Sequence, residues 1–289
     1  MFQHVVIVGP GLIGGSLGMA LRARRLAGKV VGVGHRRESL KKAVQAGAID
    51  SGTLNLQSAV RDADLVVLAT GVGVIPRQAA EAAPCMKKGA ILTDVGSAKG
   101  SVCRAVEEAL SGPPKSDVRF VGGHPLAGSE QRGIGAARRD LFRGAVCILT
   151  PSPRTDPDRS ALAAVRAMWE DAGCAVTEMS PKKHDKLLAQ ISHLPHAAAV
   201  CLINAVPDDA LRLAARGFLD TTRVASGDPA LWADICIANR RALRGALTAL
   251  SREMKKFACA ADARDAGAIL KILRRAKERR DAKLWDDGD

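Results

Sequence analysis

The run Gly9-Pro10-Gly11-Leu12-Ile13-Gly14-Gly15-Ser16 restricts this chain more than any other stretch, because of what flanks it. The apolar stretch His4-Val5-Val6-Ile7-Val8 leads in, a helical pattern over residues 17–25 follows, and Lys29-Val30-Val31-Gly32-Val33 comes next. Short apolar runs of this kind suit strands buried on both faces of a parallel sheet. Glycines spaced G-x-G-x-x-G between strand and helix have separate tasks. The first allows the tight turn, the second bares the backbone to a pyrophosphate, and the third lets helix and strand pack closely. The helix beyond presents unpaired amides to negative charge. In isolation this spacing is a weak signal; in the order strand, turn, helix, strand it predicts a dinucleotide-binding unit. Gly9, Gly11, Leu12, Ile13 and Gly14 are then expected at the phosphates.

The end of the second strand bears on which dinucleotide is held. An Asp or Glu there accepts the ribose hydroxyls of NAD, whereas a 2′-phosphate is attracted by arginine. This chain has Gly34-His35-Arg36-Arg37, with no acid before Glu38. NADP is therefore expected over NAD, with His35, Arg36 and Arg37 near the ribose. The competing reading is that the arginines merely begin a solvated helix. Further strands are read at residues 63–70, 89–95, 118–121, 144–150 and 174–179, with helices at 101–110 and 160–171 between them. Thr70, at a strand end, is an additional expected cofactor contact. This alternation predicts an α/β fold with a Rossmann-type doubly wound parallel sheet.

From Ser180 onward the strand pattern stops and helical periodicity takes over. The expected division is a dinucleotide-binding domain over residues 1–179 and an all-helical domain for substrate and dimerisation over 180–289. A helical pattern over residues 183–205 carries Leu187, Leu188, Ile191, Leu194 and Ala198 on one side and is interrupted by Ser192-His193-Leu194-Pro195-His196. Proline removes a hydrogen bond and kinks a helix, so this polar cluster reads either as a pocket wall or as a buried histidine paired to backbone. Asp228-Pro229 marks a helix start, and an apolar stripe from Leu231 to Leu250 reads as one long helix. A last helix over 262–283 carries Arg274, Arg275, Lys277, Arg279 and Arg280 on one face. Long amphipathic helices of this kind commonly cover their stripes with a second copy, so a homodimer is expected.

The formal net charge is +13, which suits nucleic acid or anionic small molecules alike. Aromatic residues make up 3% and tyrosine is absent. Base-stacking surfaces need aromatics, so a small-molecule substrate is expected and nucleic acid is not. No apolar run is read as a membrane span, and the first residues lead directly into a strand without a signal-peptide pattern. A cytoplasmic location with no membrane partner is the expectation. The seven cysteines never occur as Cys-x-x-Cys, which argues against a disulfide framework and a structural zinc, and no metal is expected.

The chemistry is expected in Gly122-Gly123-His124-Pro125-Leu126-Ala127-Gly128-Ser129-Glu130, where a histidine at a strand end is followed by a hydroxyl and a carboxylate. α/β folds place their sites at strand ends. A second element is Gly217-Phe218-Leu219-Asp220-Thr221-Thr222-Arg223, in which Arg223 reads as an anion clamp held by Asp220, or as half of a surface ion pair.

These motifs, with Asp94-Val95-Gly96-Ser97-Ala98-Lys99-Gly100 and Ile148-Leu149-Thr150-Pro151, resemble the prephenate and arogenate dehydrogenases of tyrosine biosynthesis over nearly the whole chain. The resemblance implies an oxidative decarboxylation of a cyclohexadienol, with hydride passing to a nicotinamide and aromatisation as the driving force. It implies His124 as the acceptor of the hydroxyl proton and Ser97 as its partner in catalysis. It implies Arg223 on a substrate carboxylate, Ser192 and His196 facing substrate, and Ser129 and Glu130 at the pocket. Prephenate is the favoured substrate, because the segment at His196 shows no acidic partner for the ammonium of arogenate; arogenate or use of both is the alternative. More remote readings are a 3-hydroxyacid-type NADP dehydrogenase and a non-enzymatic dinucleotide-sensing protein. One departure from the family pattern stands at Thr70-Gly71-Val72, where a small residue followed by proline is common.

Overall fold

The computed structural model describes residues 1–112, 117–128, 131–152, 156 and 159–285, the last three as backbone only. The chain forms two compact units, Met1–Arg240 and Arg241–Asp289.

The first unit is built on an 8-stranded sheet with spatial order β3-β2-β1-β4-β5-β6-β7-β8. The strands are β1 (Phe2–Val8), β2 (Ala27–Val33), β3 (Ser51–Thr53), β4 (Leu65–Leu68), β5 (Ile91–Asp94), β6 (Arg119–Pro125), β7 (Val146–Pro151) and β8 (Ala175–Glu178). Between them lie α1 (Leu12–Ala23), α2 (Arg37–Gln45), α3 (Leu56–Ala59), α4 (Ile75–Ala82), α5 (Gly100–Ser111) and α6 (Ser160–Ala172). Successive residues of β1 serve opposite faces of the sheet, as the period of two requires. Val6 and Val8 join a core with Ile75, Val102 and Val106 from α4 and α5, while Val5 and Ile7 join Leu17, Leu40 and Trp169 from α1, α2 and α6. Both faces are covered, which is why the central strands read as continuous apolar runs.

The parallel order holds from β1 to β6. β7 then runs antiparallel to β6, pairing His124 with Ile148 and Gly123 with Leu149, and β8 runs parallel to β7. A parallel partner needs a crossover, usually a helix. The described residues between β6 and β7 hold only a short 3₁₀ turn, Ile134–Ala136, so the chain returns antiparallel. Three-residue β3 carries no periodic signal and was not expected from the sequence.

After β8 the described chain is helical: α7 (Pro181–Leu188), α8 (Leu194–Ala205), α9 (Asp208–Leu211), α10 (Arg216–Thr222) and α11 (Pro229–Ala238). α7 and α8 are joined by one π-helical turn, Ala189–His193. The interruption expected at Pro195 thus takes the form of a bulge just before it, with Pro195 in the first turn of α8. Together Pro181–Ala205 are 25 residues, long and apolar enough by composition to cross a membrane, contrary to the reading that no run suffices. That stretch nevertheless carries His184, Asp185, His193 and His196 into a polar network of this unit, described below. Asp228 caps α11 as expected, Oδ1 accepting from the Leu231 amide at 2.7 Å. The stripe read as one helix is broken at Asn239, between α11 and α12 (Arg240–Asp262). In the second unit α12 is followed by α13 (Ala266–Trp285), whose Leu270 and Leu273 are exposed.

Trp169 fastens α6 to the sheet: it is fully buried and meets Phe142 edge-on, with ring centroids 5.1 Å apart. Trp169→Ala is expected to lower the unfolding free energy by about 3–5 kcal/mol, read from urea denaturation; a loss under about 1 kcal/mol would contradict this packing.

Candidate active site

The glycine-rich turn has the form its sequence implies. Gly9 has φ +88, and a side chain there would meet the Ala69 carbonyl oxygen at 2.7 Å and the Thr70 methyl at 2.8 Å. A Cβ on Gly14 would collide with the Gly9 carbonyl oxygen. A Cβ on Gly11 would meet no atom within 4 Å, so that backbone faces open space at the head of α1. Leu12 and Ile13 form the first turn of α1, where amides have no carbonyl a turn earlier to bond. Turn and helix end together fit a pyrophosphate. His35, Arg36 and Arg37 lie exposed beyond β2, where Arg36 precedes α2. Thr70 follows β4 and donates its hydroxyl to Gln78 Oε1 at 2.6 Å. In the loop after it, which begins with the Thr70-Gly71-Val72 departure, a Cβ on Gly73 would lie 3.1 Å from Asp234 Oδ2.

His124 lies within the carboxyl end of β6, 8% exposed. Its Nδ1 is 2.8 Å from His184 Nε2. His184, fully buried on α7, has its Nδ1 2.9 Å from Asp185 Oδ1. Asp185 in turn accepts the amides of Lys99 and Gly100, both at 2.8 Å, at the start of α5. Burial pushes the Asp185 carboxyl up, but its bonds to His184 and to those two amides outweigh this, and it lies below its ordinary value. The carboxylate is therefore ionised and His184 donates to it through Nδ1. Burial holds His184 below the ordinary histidine value. A neutral His184 has its lone pair on Nε2 and must accept from His124 Nδ1–H. Burial, with His184, Lys99 and His193 adding to it, holds His124 well below the ordinary range. His124 is thus neutral, protonated on Nδ1, with the lone pair on Nε2.

The turn between α7 and α8 adds His193. Burial pushes it down to about 4. Asn239 Nδ2 donates to the Asp185 carbonyl at 2.8 Å and lies 3.1 Å from His193 Nδ1. His196 stacks on Trp232 of α11, centroids 3.5 Å apart and planes 8° from parallel. Gly227 leaves room for that stack, since a Cβ there would meet Trp232 Cδ1 at 2.8 Å and His196 Cε1 at 3.1 Å.

Ser97 is half-buried in the loop after β5, and Ser192 is half-buried in the π turn. Arg223 is exposed at the start of the 3₁₀ turn Arg223–Ser226, and Asp220, its expected holder, pairs with Arg216 at 3.8 Å. Ser129 and Glu130 lie outside the described residues. The sequence reading missed His184, Asp185, Asn239 and Trp232. The signal available for the first two was an adjacent histidine and aspartate near the start of an apolar helix. Among the described residues no group of three or more His, Cys, Asp or Glu is placed to hold a metal ion.

A turn bare at Gly11 and a neutral, backed histidine at the carboxyl end of the same sheet define a nicotinamide-dependent oxidoreductase. The chain belongs to the prephenate dehydrogenase family: the family's nucleotide-binding domain matches residues 17–178 and its dimerization domain matches residues 180–275. It is 35% identical to the cyclohexadienyl dehydrogenase of Zymomonas mobilis, over 99% of this chain and 98% of that one. The crystal structure of prephenate dehydrogenase from A. aeolicus, in complex with hydroxyphenyl propionate and NAD+, superposes with a TM-score of 0.88 at 32% identity, covering 97% of this chain and 98% of that one. Synechocystis arogenate dehydrogenase superposes with a TM-score of 0.81 at 31% identity, covering 97% and 100%.

The buried neutral histidines make the fold acid-sensitive. His124, His184 and His193 all lie below the ordinary histidine value. On acidification from about pH 6.5, the unfolded chain binds protons on them that the native chain does not. Stability therefore falls with pH through that window, and the Asp185 contribution is lost at still lower pH. The urea midpoint is expected to drop between pH 7 and pH 5, with a slope of more than one proton; a constant midpoint would contradict the neutral assignment.

Proposed function

We propose that this chain catalyses the oxidative decarboxylation of prephenate to 4-hydroxyphenylpyruvate, with NADP preferred over NAD. The observation that carries the reading is the chain of bonds from Asp185 through His184 to His124. It leaves Nε2 as the ring nitrogen of His124 able to take a proton from a substrate hydroxyl. As Nε2 gains that proton, the Nδ1 proton can shift along the 2.8 Å contact to His184 Nε2. The positive charge then rests beside the Asp185 carboxylate. A nicotinamide dinucleotide held by its pyrophosphate at the turn would supply the hydride acceptor. The protein's share is to bind, to orient and to move this one proton.

Ser97, on the loop after β5, is assigned a hydrogen bond to the same hydroxyl. Arg223 is assigned a substrate carboxylate, to which a guanidinium binds in bidentate fashion. Ser192 and His196 are assigned the side-chain end of the substrate, and Ser129 and Glu130 the rim. Burial holds His196 below its ordinary value against the bond its ring makes to the Val224 backbone, so it brings no negative charge to pair with the ammonium of arogenate. Arginines 36 and 37 without a nearby acid support the 2′-phosphate. The region 180–289 is assigned to substrate and dimerisation, with Ile191 and Ile237 exposed by 66% and 65% as apolar surface for a second copy.

Arogenate is the second reading. Relatives named for prephenate and for arogenate stand at 32% and 31% identity, so likeness does not separate the substrates. Initial rates with prephenate or arogenate, each with NADP or NAD, test both choices. The highest kcat/KM is expected for prephenate with NADP, by about tenfold over either exchange. No reduced cofactor in any combination would refute the activity, and a preference for arogenate or NAD would refute that choice alone. His124→Asn is expected to retain cofactor affinity and to lose about 10²–10⁴ in kcat; a near-normal kcat would remove His124 from proton transfer.

A further inference from the structure

The ion pair between Lys99 Nζ and Asp94 Oδ2 has no role in the reading so far, and both side chains are 0% exposed. Asp94 ends β5. Its Oδ2 also accepts the Gly96 amide at 2.8 Å, and its Oδ1 accepts the Gly123 amide at 3.2 Å. Gly96 precedes Ser97 and Gly123 precedes His124, so one carboxylate ties the backbones of both residues assigned to the substrate hydroxyl. The Lys99 amide meanwhile donates to Asp185 Oδ1 at 2.8 Å. The connections close on themselves: Asp94 to Gly123 and His124, then His184, Asp185, Lys99, and back to Asp94. Burying two charges costs several kcal/mol for each ion, and apolar residues of the same volume are often as stable. Stability alone therefore gives no reason for an ammonium in this wall.

We propose that Lys99 is a positioning residue for the reaction. Through Asp94 it holds Ser97 and His124 in one register, and it keeps a fixed positive charge beside the two histidines so that a proton taken by His124 is passed on. The proposal rests on His124 as the base. The groups that face His124 are His184 from α7, His193 from the π turn, Lys99 from the start of α5, Asp94 through the Gly123 amide, and the Cys147 thiol of β7 at the His124 backbone. Of these Lys99 is the one standing cation. After burial and His184, it is the next influence holding His124 in its neutral form, and it acts on His184 in the same sense. Asp94 and Asp185 oppose it at His184, so a proton leaving His124 has a stabilised place to go.

The test is the pH profile of kcat/KM for three folded variants, with prephenate and NADP. Its acid limb reports protonation of the base in the free enzyme. Lys99→Met is expected to move that limb upward by on the order of one pH unit, with cofactor Kd unchanged. Lys99→Arg keeps the charge and is expected to leave the limb in place. Asp94→Asn combined with Lys99→Met leaves no lone buried charge, which protects the fold, and is expected to move the limb upward by less. A limb unmoved in both variants that lack the lysine overturns the proposal, even where the rate falls equally at every pH, as it would for a purely structural lysine. Failure of both to fold beside a wild-type-like Lys99→Arg also overturns it, assigning the lysine to folding alone. A wild-type profile with no acid limb refutes the underlying reading of His124 instead.

Discussion

The site depends on one carboxylate. Asp185 accepts from His184 and from two amides at the start of α5, and no other contact decides so much. A helix start favours negative charge, so Asp185 stays ionised although it is largely enclosed. Its charge fixes the tautomer of His184, and His184 fixes that of His124. Asparagine at this position would offer an amide as well as a carbonyl, and either tautomer of His184 would then be satisfied. The direction of the lone pair on His124 is therefore set by a residue 61 positions further along the chain, on a different element.

The sheet brings these parts together. β5 and β6 are adjacent and parallel, so the loop that carries Ser97 and the strand end that carries His124 emerge on the same edge. The glycine turn after β1 opens on that edge too, two strands from β5 and three from β6. Reversal of β7 places Ile148 opposite His124 and closes that side of β6 with a buried apolar neighbour. α7 and the π turn bring His184, Asp185 and His193 into the same network, and α11 supplies Trp232 to hold the His196 ring. The extra residue of the π turn changes which side chains face inward. It turns His193 into the protein and leaves Ile191 exposed, whereas the helical pattern read over residues 183–205 put Ile191 on its apolar side.

What could be read from the sequence was local. The tasks of Gly9, Gly11 and Gly14 were legible because strand, turn and helix are contiguous in sequence, although Ala69 and Thr70, which crowd Gly9, are not near it in sequence; the Asp228 cap is set by a residue three positions on. The main strands were legible because strands buried on both faces are apolar throughout. β3 was not, because three residues carry no period, and the reversal at β7 was not, because strand direction depends on the connection. His124 could be singled out by the glycines and proline around it. His184 and Asp185 could not, since their meaning comes from His124 and from Lys99, far away in sequence. Lys99 itself stood in a quoted motif, but nothing local shows that an ammonium there is buried.

The central claim is that neutral His124 carries its proton on Nδ1 and its lone pair on Nε2. Nitrogen-15 NMR of the histidine side chains in the full-length enzyme at neutral pH reads this directly, with His124→Asn used to assign the signal. The account predicts a non-protonated Nε2 and a protonated Nδ1 for His124, with His184 in the same tautomer. A His124 protonated on Nε2, or on both nitrogens, at neutral pH would contradict it.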